Sequence, residues 1–100
     1  MNIKRHYGTA DLERDFGSLT FGNALASYRM GEDTSQREFA AFLEISPQSL
    51  CDIERGRRIP SPSRAAEIAK KLGEPESFWV RLALQDMLRK EDLNLVVSVV

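Results

Sequence analysis

Between Ser35 and Arg58 the chain carries two helix starts separated by one tight turn, and no other segment restricts the fold as strongly. Ser35-x-x-Glu38 is a capping box: the serine hydroxyl and the glutamate carboxylate can each satisfy a free N–H at the start of a helix. Ser46-Pro47 is a second start. The serine caps, and proline occupies a first helical position where its missing N–H costs nothing. The first of these helices buries Phe39, Ala40 and Leu43, with Phe42 alongside. The second turns Leu50 and Ile53 inward and ends at Gly56. Ala40 lies ten residues before Leu50 and thirteen before Ile53. A small residue at that spacing lets the second helix cross the first closely.

The flanking segments extend the helical pattern. Thr20 is an N-cap, with Phe21, Ala24, Leu25 and Tyr28 at helical spacing to about Arg29. Gly31–Thr34 is a polar turn. After the basic loop Arg57-Arg58-Ile59, Ser61-Pro62 repeats the cap-plus-proline signal. It opens a helix with Ala65, Ala66, Ile68, Ala69 and Leu72 apolar, stopped by Gly73. Pro75 opens a fifth helix to about Arg89, burying Phe78, Trp79, Leu82 and Met87 or Leu88. Residues 1–19 read as an arm, with a short helix over 11–16 in which Leu12 and Phe16 share a face. Residues 91–100 differ. Leu93, Leu95, Val97 and Val99 alternate among β-branched neighbours and predict a strand. A lone strand in a helical chain needs an outside partner for its backbone groups, and a second copy of the chain is the simplest one. The expected architecture is all-α, with five helices over 20–90 and a terminal dimerisation strand.

Composition narrows the function classes. One hundred residues, 42% hydrophobic and 29% charged, suit one soluble domain. The net charge of −1 argues weakly against nucleic acid, but the charge is unevenly spread. Residues 35–73 hold seven Lys/Arg and five Asp/Glu, whereas residues 74–100 hold three and five. No apolar run could span a bilayer, and the first eight residues lack the apolar stretch of a secretory signal. The single cysteine, Cys51, excludes an internal disulfide, so the expected compartment is the cytoplasm. One histidine, His6, and that cysteine cannot build a tetrahedral metal site or a nucleophile pair. No glycine-rich phosphate loop is present. The chain is expected to be neither an enzyme nor a cofactor carrier.

The spacing of Ala40, Leu43, Ile45, Leu50 and Ile53 is that of a helix-turn-helix. Together with Ser35-Gln36, Phe39-Ala40, Ile45-Ser46, Ile53-Glu54 and Gly56 before a proline, residues 20–73 resemble the λ-repressor-like, or XRE, helix-turn-helix family. That family has glycine in the turn where this chain has Glu44, so a left-handed glutamate would carry some strain. The resemblance implies roles. Gln36 would bond a phosphate at a helix N-terminus. Pro47, Gln48, Ser49 and Asp52 would face the major groove, with Gln48 able to pair bidentately with adenine and Asp52 able to accept from cytosine. Arg55, Arg57 and Arg58 would hold phosphates, with Arg37 contributing. Asp52 could instead pair with Arg55 or Arg37, and Glu54 is expected in a structural ion pair. The resemblance also implies double-stranded operator DNA as partner, a homodimer on an inverted repeat, and repression by occlusion.

A narrower resemblance runs through Leu19-Thr-Phe-Gly22, Leu50-Cys-Asp-Ile-Glu54 and Phe78–Asp86 followed by a short strand. These segments are similar to HigA-like or HipB-like antitoxins of bacterial toxin–antitoxin modules, which implies a toxin enzyme as a further partner. A phage-type or metabolic regulator without a toxin is the alternative.

Overall fold

The computed structural model describes residues 19–98, and five helices account for most of them. They are α1 (Phe21–Gly31), α2 (Gln36–Leu43), α3 (Pro47–Glu54), α4 (Pro62–Leu72) and α5 (Glu76–Lys90). The expected arm helix over 11–16 and the last position of the expected strand, Val99, lie outside the described residues.

The helix starts follow their sequence signals. Thr20, Ser35, Ser46 and Ser61 each accept a hydrogen bond from the N–H three residues ahead. At Ser35 the Glu38 side chain completes the capping box. The fifth start differs from expectation: Pro75 is the N-cap rather than the first helical residue, and it makes no side-chain capping bond.

The helix ends share one device. A residue in the left-handed region follows each helix: Asp33, Glu44, Gly56, Gly73 and Asp92. In each case the next N–H reaches back five residues to a carbonyl of the last turn, as from Ile45 to Ala40 (3.0 Å) and from Arg57 to Asp52 (2.8 Å). This Schellman geometry satisfies carbonyls that the helix itself leaves free. Glycine adopts the conformation without strain at two of the five positions; Glu44, at φ 60°, does not. Its carboxylate bonds Lys71 on α4 across the turn, which keeps it below the usual carboxylate range.

Packing follows from the apolar stripes. Phe21, Leu25, Phe39, Ala40, Leu43, Leu50, Ile53, Ile68, Leu72, Trp79 and Leu82 form one buried cluster together with Ala65, Ala69 and Ala83. Trp79 takes Phe21 edge-on at 5.3 Å between ring centroids. Ala40 is fully buried, as a close crossing of α2 by α3 requires. Phe42 is exposed instead, 53% accessible, because it projects beside the stripe rather than within it.

A second close approach is more demanding. Gly22 on α1 lies against the last turn of α3. A Cβ there would overlap the Ile53 carbonyl oxygen and come within 2.9 Å of that of Glu54. Only glycine lets α1 meet the end of α3 this closely.

The expected C-terminal strand does not form among the described residues: 93–98 are irregular. The Gln85 side chain on α5 takes the place of a neighbouring strand. Its Nε2 donates to Leu95 O (2.7 Å) and its Oε1 accepts from Val97 N–H (2.8 Å). A single side-chain amide pairs one residue's worth of backbone and cannot propagate a ladder. Leu93 and Leu95 are exposed rather than forming a covered face.

Also on α5, Asp86 joins that helix to the start of α1. Its Oδ2 accepts from Phe21 N–H (2.9 Å) and its Oδ1 from Arg89 (3.2 Å). Burial nevertheless pushes the Asp86 carboxyl above its ordinary range, with the two bonds opposing the shift. A carboxyl raised in this way contributes stability that is full below the ordinary carboxylate pKa and is lost as pH rises through the folded value. The Asp86→Asn substitution would keep an acceptor for Phe21 N–H without a buried charge. The stability of Asp86→Asn relative to wild type should therefore improve between about pH 4 and pH 7, measured by urea denaturation. A difference that stays flat or moves the other way would contradict the assignment.

Gly22→Ala should cost about 1–3 kcal/mol through overpacking, visible as a lowered melting temperature. Gly31→Ala, where an added Cβ meets nothing within 4 Å, should leave melting unchanged or raise it.

Candidate nucleic-acid interface

The α2–turn–α3 unit is held from behind by one carboxylate. Glu54, the last residue of α3, has a side chain 5% exposed. Arg29 of α1 donates to it twice, from Nε to Oε2 (2.8 Å) and from Nη2 to Oε1 (3.1 Å). Gln36 at the start of α2 donates its Nε2 to the same Oε1 (2.9 Å). Arg29 also reaches the Thr34 carbonyl before α2 (3.0 Å). The bonds to Glu54 push the Arg29 pKa up, against desolvation. Three helices thus converge on one side chain, and the expected structural ion pair of Glu54 has Arg29 as its partner. Sequence reasoning did not single out Arg29; the signal that could have found it is a charged residue four positions beyond Leu25, on an otherwise apolar face.

With its back fixed, α3 presents its other side. Leu50 and Ile53 are buried, while Pro47 and Gln48 are exposed and Ser49 and Asp52 half-exposed. The polar residues bond to one another. Asp52 Oδ1 accepts from Gln48 Nε2 (3.0 Å) and from Arg57 Nε (3.1 Å). Its backbone carbonyl accepts from the N–H groups of Arg57 and Arg58. Arg58 Nη1 lies 3.4 Å from Ser49 Oγ, which also takes a bond from Ser46. The loop arginines are therefore gathered against the helix by Asp52 and Ser49. Neither Arg55 nor Arg37 pairs with Asp52; both are exposed and make no ion pair with another described residue.

Chemically, this face offers donors and acceptors suited to base edges, with cations beside them. After bonding Asp52, the exposed Gln48 keeps its Oε1 and a second N–H without a partner among the described residues, the donor–acceptor pair needed to meet adenine N6 and N7. Gln36 stands differently from expectation: its amide nitrogen is committed to Glu54, leaving one N–H and the carbonyl oxygen for other partners. Cys51 is half-exposed, with the Arg57 guanidinium 3.9 Å from its sulfur. Among the described residues no cluster of His, Cys, Asp or Glu could hold a metal, and no helix is long and apolar enough to cross a membrane.

Removing Arg29 would strand a buried carboxylate. Breaking a buried ion pair costs roughly 3–5 kcal/mol, and Arg29→Met should fall near the lower bound because Arg29 keeps some solvent contact. Thermal melting would reveal it; a loss no larger than for an exposed pair would contradict the convergence of three helices on Glu54.

A family model described as Helix-turn-helix (HTH_3) matches residues 25–79. No solved structure gives a significant match. The matched span runs from α1 into α5, covers more than half the chain and contains the whole unit built on Glu54. This chain belongs to the helix-turn-helix (HTH_3) family and is a DNA-binding regulator of the XRE type.

Proposed function

We propose that the protein is a sequence-specific transcriptional repressor that binds an inverted repeat as a homodimer. The observation that carries this reading is α3 itself. Its inner face is locked by Leu50, Ile53 and the Arg29–Glu54–Gln36 network, while its outer face leaves Gln48 exposed and Ser49 and Asp52 half-exposed among the described residues. In this reading Pro47, Gln48, Ser49 and Asp52 meet base edges, and Gln36, Arg37, Arg55, Arg57 and Arg58 meet phosphates. Asp52 orients both the reader Gln48 and the clamp Arg57, so it tunes selectivity without touching phosphate.

One copy presents too few base contacts for strong discrimination, and two copies about 34 Å apart would double them. The C-terminal segment supports the second copy. Gln85 holds one backbone edge of residues 95–97, whereas the N–H and C=O groups of Asn94 and Val96 have no partner among the described residues. Val96 is 87% exposed and Leu95 60%. An antiparallel pairing of this edge with its own copy would satisfy those groups and cover the apolar side chains. The antitoxin role implied by the narrower resemblance would add a toxin enzyme. Its support is the same exposed apolar tail, and a toxin gene in the same operon would favour it.

Fluorescence anisotropy with a duplex from upstream of the gene tests the DNA contacts. Gln48→Ala should weaken binding by about 1–3 kcal/mol, at particular bases only, and Arg57→Ala should weaken it on every sequence. Unchanged binding in both variants would overturn the assignment of α3. Deleting residues 93–100 should yield monomers by light scattering, and Gln85→Ala should weaken the dimer. A dimer that survives the deletion would remove the tail from the interface.

A further inference from the structure

A cleft of about 390 Å³ opens between the N-terminal end of α1, the loop after α3 and the C-terminal end of α5. Four cations line it, Arg57, Arg58, Arg89 and Lys90, against one carboxylate, Asp86. The carboxylate is already committed to Phe21 N–H and to Arg89. Arg89 is held as well by the Leu19 carbonyl (3.3 Å), and Arg57 by Asp52 (3.1 Å). Two cations keep their charge available. The Arg58 guanidinium has a single long contact, to Ser49 at 3.4 Å. Lys90 is exposed, and its side-chain amine bonds to no described residue.

Gathering like charges in a concave site raises the local potential and draws in an anion. The fold needs no cation at Lys90 beyond its modest effect on the end of α5, because Asp86 already has Arg89 as its ion-pair partner. The position of Arg58 names the anion. It belongs at once to the cleft and to the loop packed against α3, so an anion beside it is contiguous with whatever docks on α3. We propose that this cleft binds a backbone phosphate of the same DNA duplex, with Lys90 and Arg58 as its partners, which extends the DNA-binding surface from the helix-turn-helix onto α5. This assignment rests on the DNA-binding reading above. It gives Lys90 a positioning role on the duplex with no base discrimination.

The salt dependence of binding tests it. The probe is a labelled duplex of mixed sequence, titrated at several potassium chloride concentrations with wild type, Lys90→Gln, Lys90→Arg and Arg58→Gln. Each phosphate neutralised contributes about 0.9 to the slope of log K against log salt. Lys90→Gln should reduce the slope by about that amount per subunit, Lys90→Arg should restore it, and Arg58→Gln should reduce it as well. Circular dichroism should show the same melting for wild type and both Lys90 variants. If Lys90→Gln keeps the wild-type slope while Arg58→Gln lowers it, the cleft is not a phosphate site and the DNA-binding reading stands. If the wild type itself shows no salt-dependent binding, both fall.

Discussion

The Glu54 carboxylate is the point on which the rest of the structure depends. It closes α3, takes both arms of the Arg29 guanidinium from α1, and accepts the Gln36 amide from the first turn of α2. A buried charge is costly unless it is paired and hydrogen-bonded. Here the carboxylate and its two partners come from three different helices, so satisfying the charge fixes the relative placement of all three. Gly22 completes the arrangement from the side of α1 by admitting the carbonyls of Ile53 and Glu54 at a distance no other residue permits. Short helices of eight residues have little stability alone. The fixed angle between α2 and α3 comes from this junction and from Ala40, not from helix propensity.

The same economy recurs at the helix ends. Five left-handed residues finish five helices and turn the chain sharply each time. At the α2–α3 turn the left-handed residue is a glutamate, and its bond to Lys71 ties the turn to α4. At the end of α3, the left-handed Gly56 brings Arg57 and Arg58 back over the Asp52 carbonyl. The loop arginines thereby arrive beside the outer face of α3 because of a backbone cap, before any side-chain contact is counted. Fold and candidate site are built by one local device.

Much of this was legible in the residues, and what was not has physical reasons. Helix starts were readable because Ser-Pro and the capping box act within four residues. Helix ends were readable at Gly56 and Gly73 but not at Asp33 or Asp92, where the left-handed conformation is stabilised by hydrogen bonds rather than announced by glycine. The buried stripes followed from periodicity, except at Phe42, exposed at the edge of its stripe, and at Met87 and Leu88, which stay only half-buried near the end of α5. Side chains of the site could be named one by one, but not their bonds to one another. Nothing in sequence spacing tells that Asp52 takes Arg57 rather than Arg55 or Arg37, since the cap geometry decides which arginine returns. The Arg29–Glu54 pair spans 25 positions, and Gln85 acts on a segment ten residues away. The terminal strand failed as a prediction for one chain because β-branched residues specify a surface to be paired, and within the chain one glutamine amide occupies part of it.

The most direct test is a map of backbone amide chemical shifts as an operator-length duplex is added to the labelled protein. The account predicts the largest changes at Gln48, Ser49, Asp52 and Arg57–Ile59, smaller ones at Gln36 and Lys90, and none across the middle of α4. Perturbations centred on α4 or the middle of α5, with the α3 amides unmoved, would contradict it.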